Sequence, residues 1–147
     1  MLRIFYLIMS QRLFLAVLSA WCLAQGIKVV ISIIMEKKLR WQRFVEPGGM
    51  PSSHAAIVAA LLTGVGIKEG VESTIFLVTL IFALVTVYEA IGVRREVGEQ
   101  AKLLNKIVQP SSPQYPLSYE LKEQLGHKPI EVLIGGIIGI ILSFLWM

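Results

Sequence analysis

The sequence predicts an all-α fold: an integral membrane bundle of about four apolar helices, forming a single membrane-embedded domain over residues 1–147. Three observations predict it. Hydrophobic residues make up 55% of the chain and charged residues only 16%, with a mean hydropathy of +0.69. An ordinary soluble domain carries roughly 45–50% apolar and about 25% charged residues. Four apolar stretches recur along the chain, each near the roughly 20 residues that cross a bilayer. Finally, the basic residues gather in two connectors that alternate spanning would place on one side.

The first apolar segment runs from Gln11 to Met35, interrupted by Gln25, Gly26 and Lys28. Arg3 and Arg12 ahead of an apolar run resemble a secretory signal. The run, however, continues to Met35 without a small-residue cleavage pattern, and Trp21 precedes Cys22, so a spanning helix is expected. Cys22 is the single cysteine, cannot form an internal disulfide, and reads as a small buried hydrophobe. The second segment, Pro51 to Ile67, is short, and Ala55, Ala56, Ala59, Ala60 and Gly64 suit it to close packing between neighbours. The third, Val71 to Val93, carries the strongest spanning signal. The fourth, Pro129 to Met147, has a GGIIG centre that, like the Ala-rich second helix, is a candidate for an oligomer interface.

Two connectors join these segments. EKKLRWQRFVEPGG is basic. Residues 94–128 hold an amphipathic pattern, EVGEQAKLLNKIV, then QPSSPQYP, whose prolines break it, then a second short helical pattern, LSYELKEQLGH. With alternate spanning, one side holds Lys37, Lys38, Arg40, Arg43, Arg94, Arg95, Lys102, Lys106, Lys122 and Lys128. The other holds Arg3, Arg12 and Lys68. The positive-inside rule places the basic side in the cytoplasm and both termini outside. A net charge of +4, without basic residues interleaved with aromatics, gives no basis for nucleic-acid binding.

The chemistry sits where apolar segments begin. GGMPSSHAA starts the second with Gly49, Pro51, Ser52, Ser53 and His54. Pro and Ser at a helix start are ordinary capping residues. A helix N-terminus preceded by glycines is also an anion site, because free N–H groups converge there. GHKPIEVLIGG starts the fourth with His127, Pro129 and Glu131, again consistent with simple capping. Yet the only two histidines of the chain both lie at such starts, on the same face. Arg94 and Arg95 leave the third segment on that face too, and a guanidinium suits phosphate. Lys28 and Glu89 are ionisable groups inside apolar segments, which makes them functional candidates. Lys28 is expected either to join the site or to pair with Glu89.

These residues resemble the type 2 phosphatidic acid phosphatase and vanadium haloperoxidase superfamily, in its small, divergent branch. GHKPIEV resembles the third signature, Ser-Arg-x5-His-x3-Asp, with Glu131 for Asp. PSSH resembles the second, Pro-Ser-Gly-His, with Ser53 for Gly. The likeness covers nearly the whole chain from Lys28 onward. It departs at two places: Leu121 stands where the third signature has Arg, with Lys122 beside it. The first signature, Lys-x6-Arg-Pro, is represented only by Lys37-x5-Arg43 without Pro. Arg94 and Arg95 are candidates to supply the displaced guanidinium, and Lys38 or Arg40 to replace the first signature.

The resemblance implies a membrane-embedded, metal-independent phosphatase acting on a lipid phosphate or diphosphate. By position, His127 is the nucleophile that becomes phosphohistidine, Glu131 orients its imidazole, and His54 is the general acid and then base. Ser52, Ser53, Gly49, Arg94, Arg95, Lys38 and Lys28 would bind the phosphate. No cofactor or metal is implied. The expected partners are membrane lipids and a phosphorylated lipid substrate, with a homo-oligomer also expected. The missing Ser-Arg supports an alternative, a non-catalytic phosphate-binding or scaffolding membrane protein. Transport along Gln25, Lys28 and Glu89 ranks lower, and haloperoxidase activity lower still. The phosphatase reading requires His54 and His127 to lie within about 10 Å of each other, since both must reach one phosphoryl group.

Overall fold

The computed structural model describes residues 11–37, 49–111, 121–123 and 125–147. Five helices are present among them: α1 (Arg12–Glu36), α2 (Ser53–Glu69), α3 (Thr74–Ile91), α4 (Val93–Ser111) and α5 (Pro129–Trp146). The four apolar segments are α1, α2, α3 and α5, each within a few residues of the stretch expected. Local chemistry sets their starts. The Ser52 hydroxyl accepts the Ala55 N–H at 3.3 Å at the head of α2. Ser73 does the same for Phe76 at 3.2 Å in α3. Pro129 opens α5, where a missing N–H costs nothing.

Contacts between helices fix their directions. Ser52 N–H donates to Glu131 C=O at 2.9 Å and Ser143 Oγ to Ala60 C=O at 3.1 Å, so α2 and α5 run parallel. Lys28 of α1 meets Ser53 at the start of α2, which makes α1 antiparallel to it. His127 N–H donates to Ala90 C=O at 2.9 Å, setting the head of α5 beside the end of α3. One face of the bundle therefore collects the end of α1, the starts of α2 and α5, the end of α3 and the start of α4.

Small side chains form the core. Ala20, Ala24, Ala56 and Ala60 are fully buried together, and Gly135 and Gly139 of α5 let α2 approach closely. A Cβ on Gly135 would collide with the Ser52 carbonyl, and one on Gly139 with the Ala56 carbonyl. The glycine-rich centre of α5 and the Ala-rich face of α2 thus pack against each other within the chain. Of the three glycines in the GGIIG centre, Gly136 alone has open space around it. At Gly135 and Gly139 the contact is thus made within the chain.

The outside is apolar. Leu77, Val78, Ile81, Phe82, Leu84 and Val85 of α3 are exposed, as are Ile141, Phe144 and Leu145 of α5. Cys22 is exposed rather than buried; it lies opposite the Ala20–Ala24 face, where a small apolar side chain suits lipid equally well. Three stretches, Arg12–Ile34, Thr74–Ile107 and Pro129–Trp146, are helical, long and apolar enough to cross a membrane. With 17 residues, α2 is about 25 Å long and sits between α1, α3 and α5.

The connector after α3 differs in part from expectation. Its first amphipathic pattern is α4, which turns Gly98, Ala101 and Asn105 inward at helical spacing. The second pattern, LSYELKEQLGH, is not helical at its described residues 121–123 and 125–127. Asn105 takes their backbone groups instead. Its amide donates to Leu121 C=O at 2.9 Å and its oxygen accepts Leu121 N–H at 3.1 Å. Glu123 and Leu125 lie against the bare Cα of Gly98. Backbone groups held in this way are lost to a helix.

Candidate active site

His54 and His127 meet at the face where α2 and α5 begin. Their ring centroids lie 5.8 Å apart, with the planes at 76°. This satisfies the proximity that a shared phosphoryl group demands. Two backbone contacts produce it: Ser52 N–H to Glu131 C=O ties the helix starts together, and His127 N–H to Ala90 C=O sets the depth of the second histidine. Gly126 adopts a left-handed φ of 82°. Any Cβ there would strike the backbone of Arg95, so glycine is needed for the chain to pass α4 and deliver His127. Gly49, before the α2 start, also has a left-handed φ, of 77°.

Lys28 reaches the same place from α1. Its Nζ donates to Ser53 Oγ at 3.3 Å in the protein interior, about 12 Å below the end of its helix. It acts electrostatically on both histidines and on Glu131. Lys28 is therefore a member of the site, whereas Glu89 is exposed. The charge of Arg94 also bears on both histidines. Arg95 has an exposed side chain and contributes its backbone to the contact with Gly126. Lys38, Arg40 and Gly48 lie outside the described residues.

Glu131 does something other than expected. Its carboxylate accepts the Lys128 N–H at 3.0 Å, capping α5, and the expected hydrogen bond to the His127 imidazole is not formed. Both ring nitrogens of His127 and Nδ1 of His54 are buried without a hydrogen-bond partner, as are Gln25 Oε1 and Ser32 Oγ on α1. Each such group costs roughly 1–3 kcal/mol when left unpaired. Three of these atoms belong to the two facing histidines, and the other two lie on the stripe of α1 that carries Lys28, so unpartnered polar groups gather on the elements that meet at this face. Ser32 was not legible as a site residue, and Gln25 was read only as part of a polar path with Lys28 and Glu89. Their signal was the spacing Gln25, Lys28, Ser32, which puts three polar side chains on one stripe of an otherwise apolar helix.

Burial, reinforced by the charges of Lys28, His54 and Arg94, holds the His127 imidazole at a pKa of about 4, below the ordinary 6.5. It is consequently neutral at neutral pH, with a lone pair available. The unfolded chain binds this proton more readily than the folded one. The stability that neutral His127 contributes is thus complete above pH 6.5 and is lost as pH falls from 6.5 through about 4. Thermal unfolding in detergent should show this loss in the wild type, and His127→Gln should flatten that part of the profile. An ionised phosphate at the site reverses the bias, so phosphate binding should take up protons in the same window, readable by calorimetry in buffers of different ionisation enthalpy.

Comparison with known proteins places the chain among its relatives. The sequence model of a family described as "Divergent PAP2 family" matches residues 9–142. The chain is 45% identical over 141 residues to "Uncharacterized membrane protein YuiD" of Bacillus subtilis (strain 168), covering 88% of this chain and 89% of that one. No solved structure matches it.

Proposed function

The chain belongs to the divergent PAP2 family, and on that premise we propose that it is a membrane-embedded phosphatase acting on a lipid phosphate or diphosphate through a phosphohistidine. The observation that carries this reading is the pair of histidines, 5.8 Å apart at two helix starts, with three of their four ring nitrogens buried and unpartnered.

In the proposed reaction a lone pair of the neutral His127 imidazole attacks phosphorus, forming a P–N bond as the bond to the ester oxygen breaks. His54, protonated in the complex by the adjacent phosphate charge, delivers its proton to the departing alkoxide. Water then attacks the phosphohistidine while His54 takes its proton; the P–N bond breaks, His127 is regenerated and inorganic phosphate leaves. Ser52, Ser53, Lys28, Arg94 and the amides at the head of α2, Gly49 among their neighbours, stabilise the charge on the phosphoryl oxygens. Fixed donors of this kind are usually the largest catalytic contribution. The basic face is proposed to be cytoplasmic, and lipid to cover the exposed apolar faces of α3 and α5. A homo-oligomer would form through those same faces.

A second reading, a non-catalytic phosphate-binding or scaffolding protein, is favoured by one observation: Glu131 caps α5 rather than orienting His127. The two are separated by phosphate release from lipid phosphates with protein purified in detergent. The phosphatase reading expects turnover that both His54→Ala and His127→Ala lower by at least about 10²-fold. Phosphate binding without turnover over a broad lipid-phosphate panel would favour the scaffold, and turnover unchanged in both variants would remove these histidines from the mechanism.

A further inference from the structure

We propose that Gln25 is a specificity-determining residue that accepts a hydrogen bond from a free hydroxyl on the alcohol portion of the ligand, so that the site prefers phosphate esters of hydroxyl-bearing alcohols. This rests on the phosphate reading of the site.

Three observations on α1 carry it. Gln25 is 4% exposed and Ser32 7% exposed, and Gln25 Oε1 and Ser32 Oγ have no hydrogen-bond partner. Both lie on the stripe of Lys28, whose ammonium is fixed on Ser53 at the start of α2. The two orphans differ in chemistry. A serine hydroxyl can donate, so an ionised phosphate held by Lys28 and the α2 start satisfies Ser32, one turn nearer the basic face. The Gln25 amide oxygen can only accept, and an ionised phosphate offers it no proton. It needs a donor on the ligand.

Position says where that donor belongs. Gln25 lies three residues before Lys28, about 4.5 Å further from the basic face. Of a ligand whose phosphate sits at Lys28 and the histidines, only the esterified alcohol extends beyond the phosphate, so it alone can bring a donor to Gln25. The donor is therefore a hydroxyl of the alcohol that leaves on hydrolysis. A buried acceptor left unpaired penalises a ligand lacking the group, which is how such sites discriminate.

The test compares two single-chain glycerol phosphates that differ in one atom: lysophosphatidate, with a free 2-hydroxyl, and its 2-deoxy counterpart. Equilibrium binding to the detergent-purified chain is measured by calorimetry in a His127→Ala background, where neither ester is turned over. With position 25 wild type, the chain should prefer the hydroxyl compound by roughly 5–10-fold, the size of one net hydrogen bond. Gln25→Leu should bring the ratio to about one by weakening the hydroxyl compound while leaving the deoxy compound bound as before. Equal affinities with Gln25 in place overturn the inference without any change at that position. So does a preference that survives in Gln25→Leu. Inorganic phosphate is titrated as well: if it binds but the two esters do not differ, the hydroxyl inference alone fails. If neither ester nor phosphate binds, the phosphate reading fails and the inference with it.

Discussion

His127→Ala is expected to lower phosphate release by at least about 10³-fold while leaving the fold intact. The side chain is 3% exposed but makes no hydrogen bond through either ring nitrogen, so its removal deletes no polar contact of the resting protein. The segment is held by its backbone, through His127 N–H to Ala90 C=O, which alanine keeps. Activity should therefore fall without a matching loss of thermal stability. His54→Ala should cost about 10²–10⁴-fold, the usual worth of a positioned acid–base. Because nucleophile and acid act on one phosphoryl group, the two losses should not add, and the double variant should be hardly worse than His127→Ala. A residual rate above water from Lys28, Arg94 and the α2 start is expected. If His127→Ala retained wild-type turnover, or lost it only in proportion to unfolding, the nucleophile would be misassigned.

Gly135→Val is expected to have the largest effect on the fold. The α2 and α5 helices run parallel because their starts are tied at Ser52 and Glu131, and Gly135 lies directly under that tie. A Cβ there would collide with the Ser52 carbonyl oxygen and come within 3.1 Å of its carbon and 3.2 Å of its nitrogen. Those atoms are backbone and cannot swing aside, so the helices must separate. The same separation would pull His54 from His127. Overpacking of this kind costs about 1–3 kcal/mol, and more where only backbone can yield. Gly136→Val is the matched control, since nothing lies within 4 Å of a Cβ at that position. Thermal unfolding in detergent should rank Gly135→Val well below Gly136→Val; equal stability would contradict the packing described.

Much of this was legible in the sequence because apolar length and helix starts are local signals. The four apolar helices follow from composition, and PSSH and GHKPIEV mark the heads of α2 and α5. That both histidines lie on one face follows from counting spans. What the sequence could not show depends on contacts across the bundle. Whether Asn105 pairs with Leu121 decides that LSYELKEQLGH does not form a helix at its described residues, and nothing in that segment's own pattern announces a partner 16 residues earlier. Glycines and alanines read equally well as an oligomer interface or as an internal one. Only the approach of Ser52 to Gly135 shows the internal contact. Glu131 fits a catalytic orienter by position and a helix cap by chemistry, and the cap is what forms. Gln25 was visible as a polar break in α1, but its missing partner is a property of the folded site.

The central claim is that His127 becomes covalently phosphorylated. The direct measurement is to quench the purified protein during turnover of a ³²P-labelled lipid phosphate, digest it, and locate the label by mass spectrometry. The account predicts an acid-labile, base-stable phosphoryl group on the peptide carrying His127, accumulating in His54→Ala, where its hydrolysis is slowed. Turnover with no covalent label, or label on another residue, would contradict it.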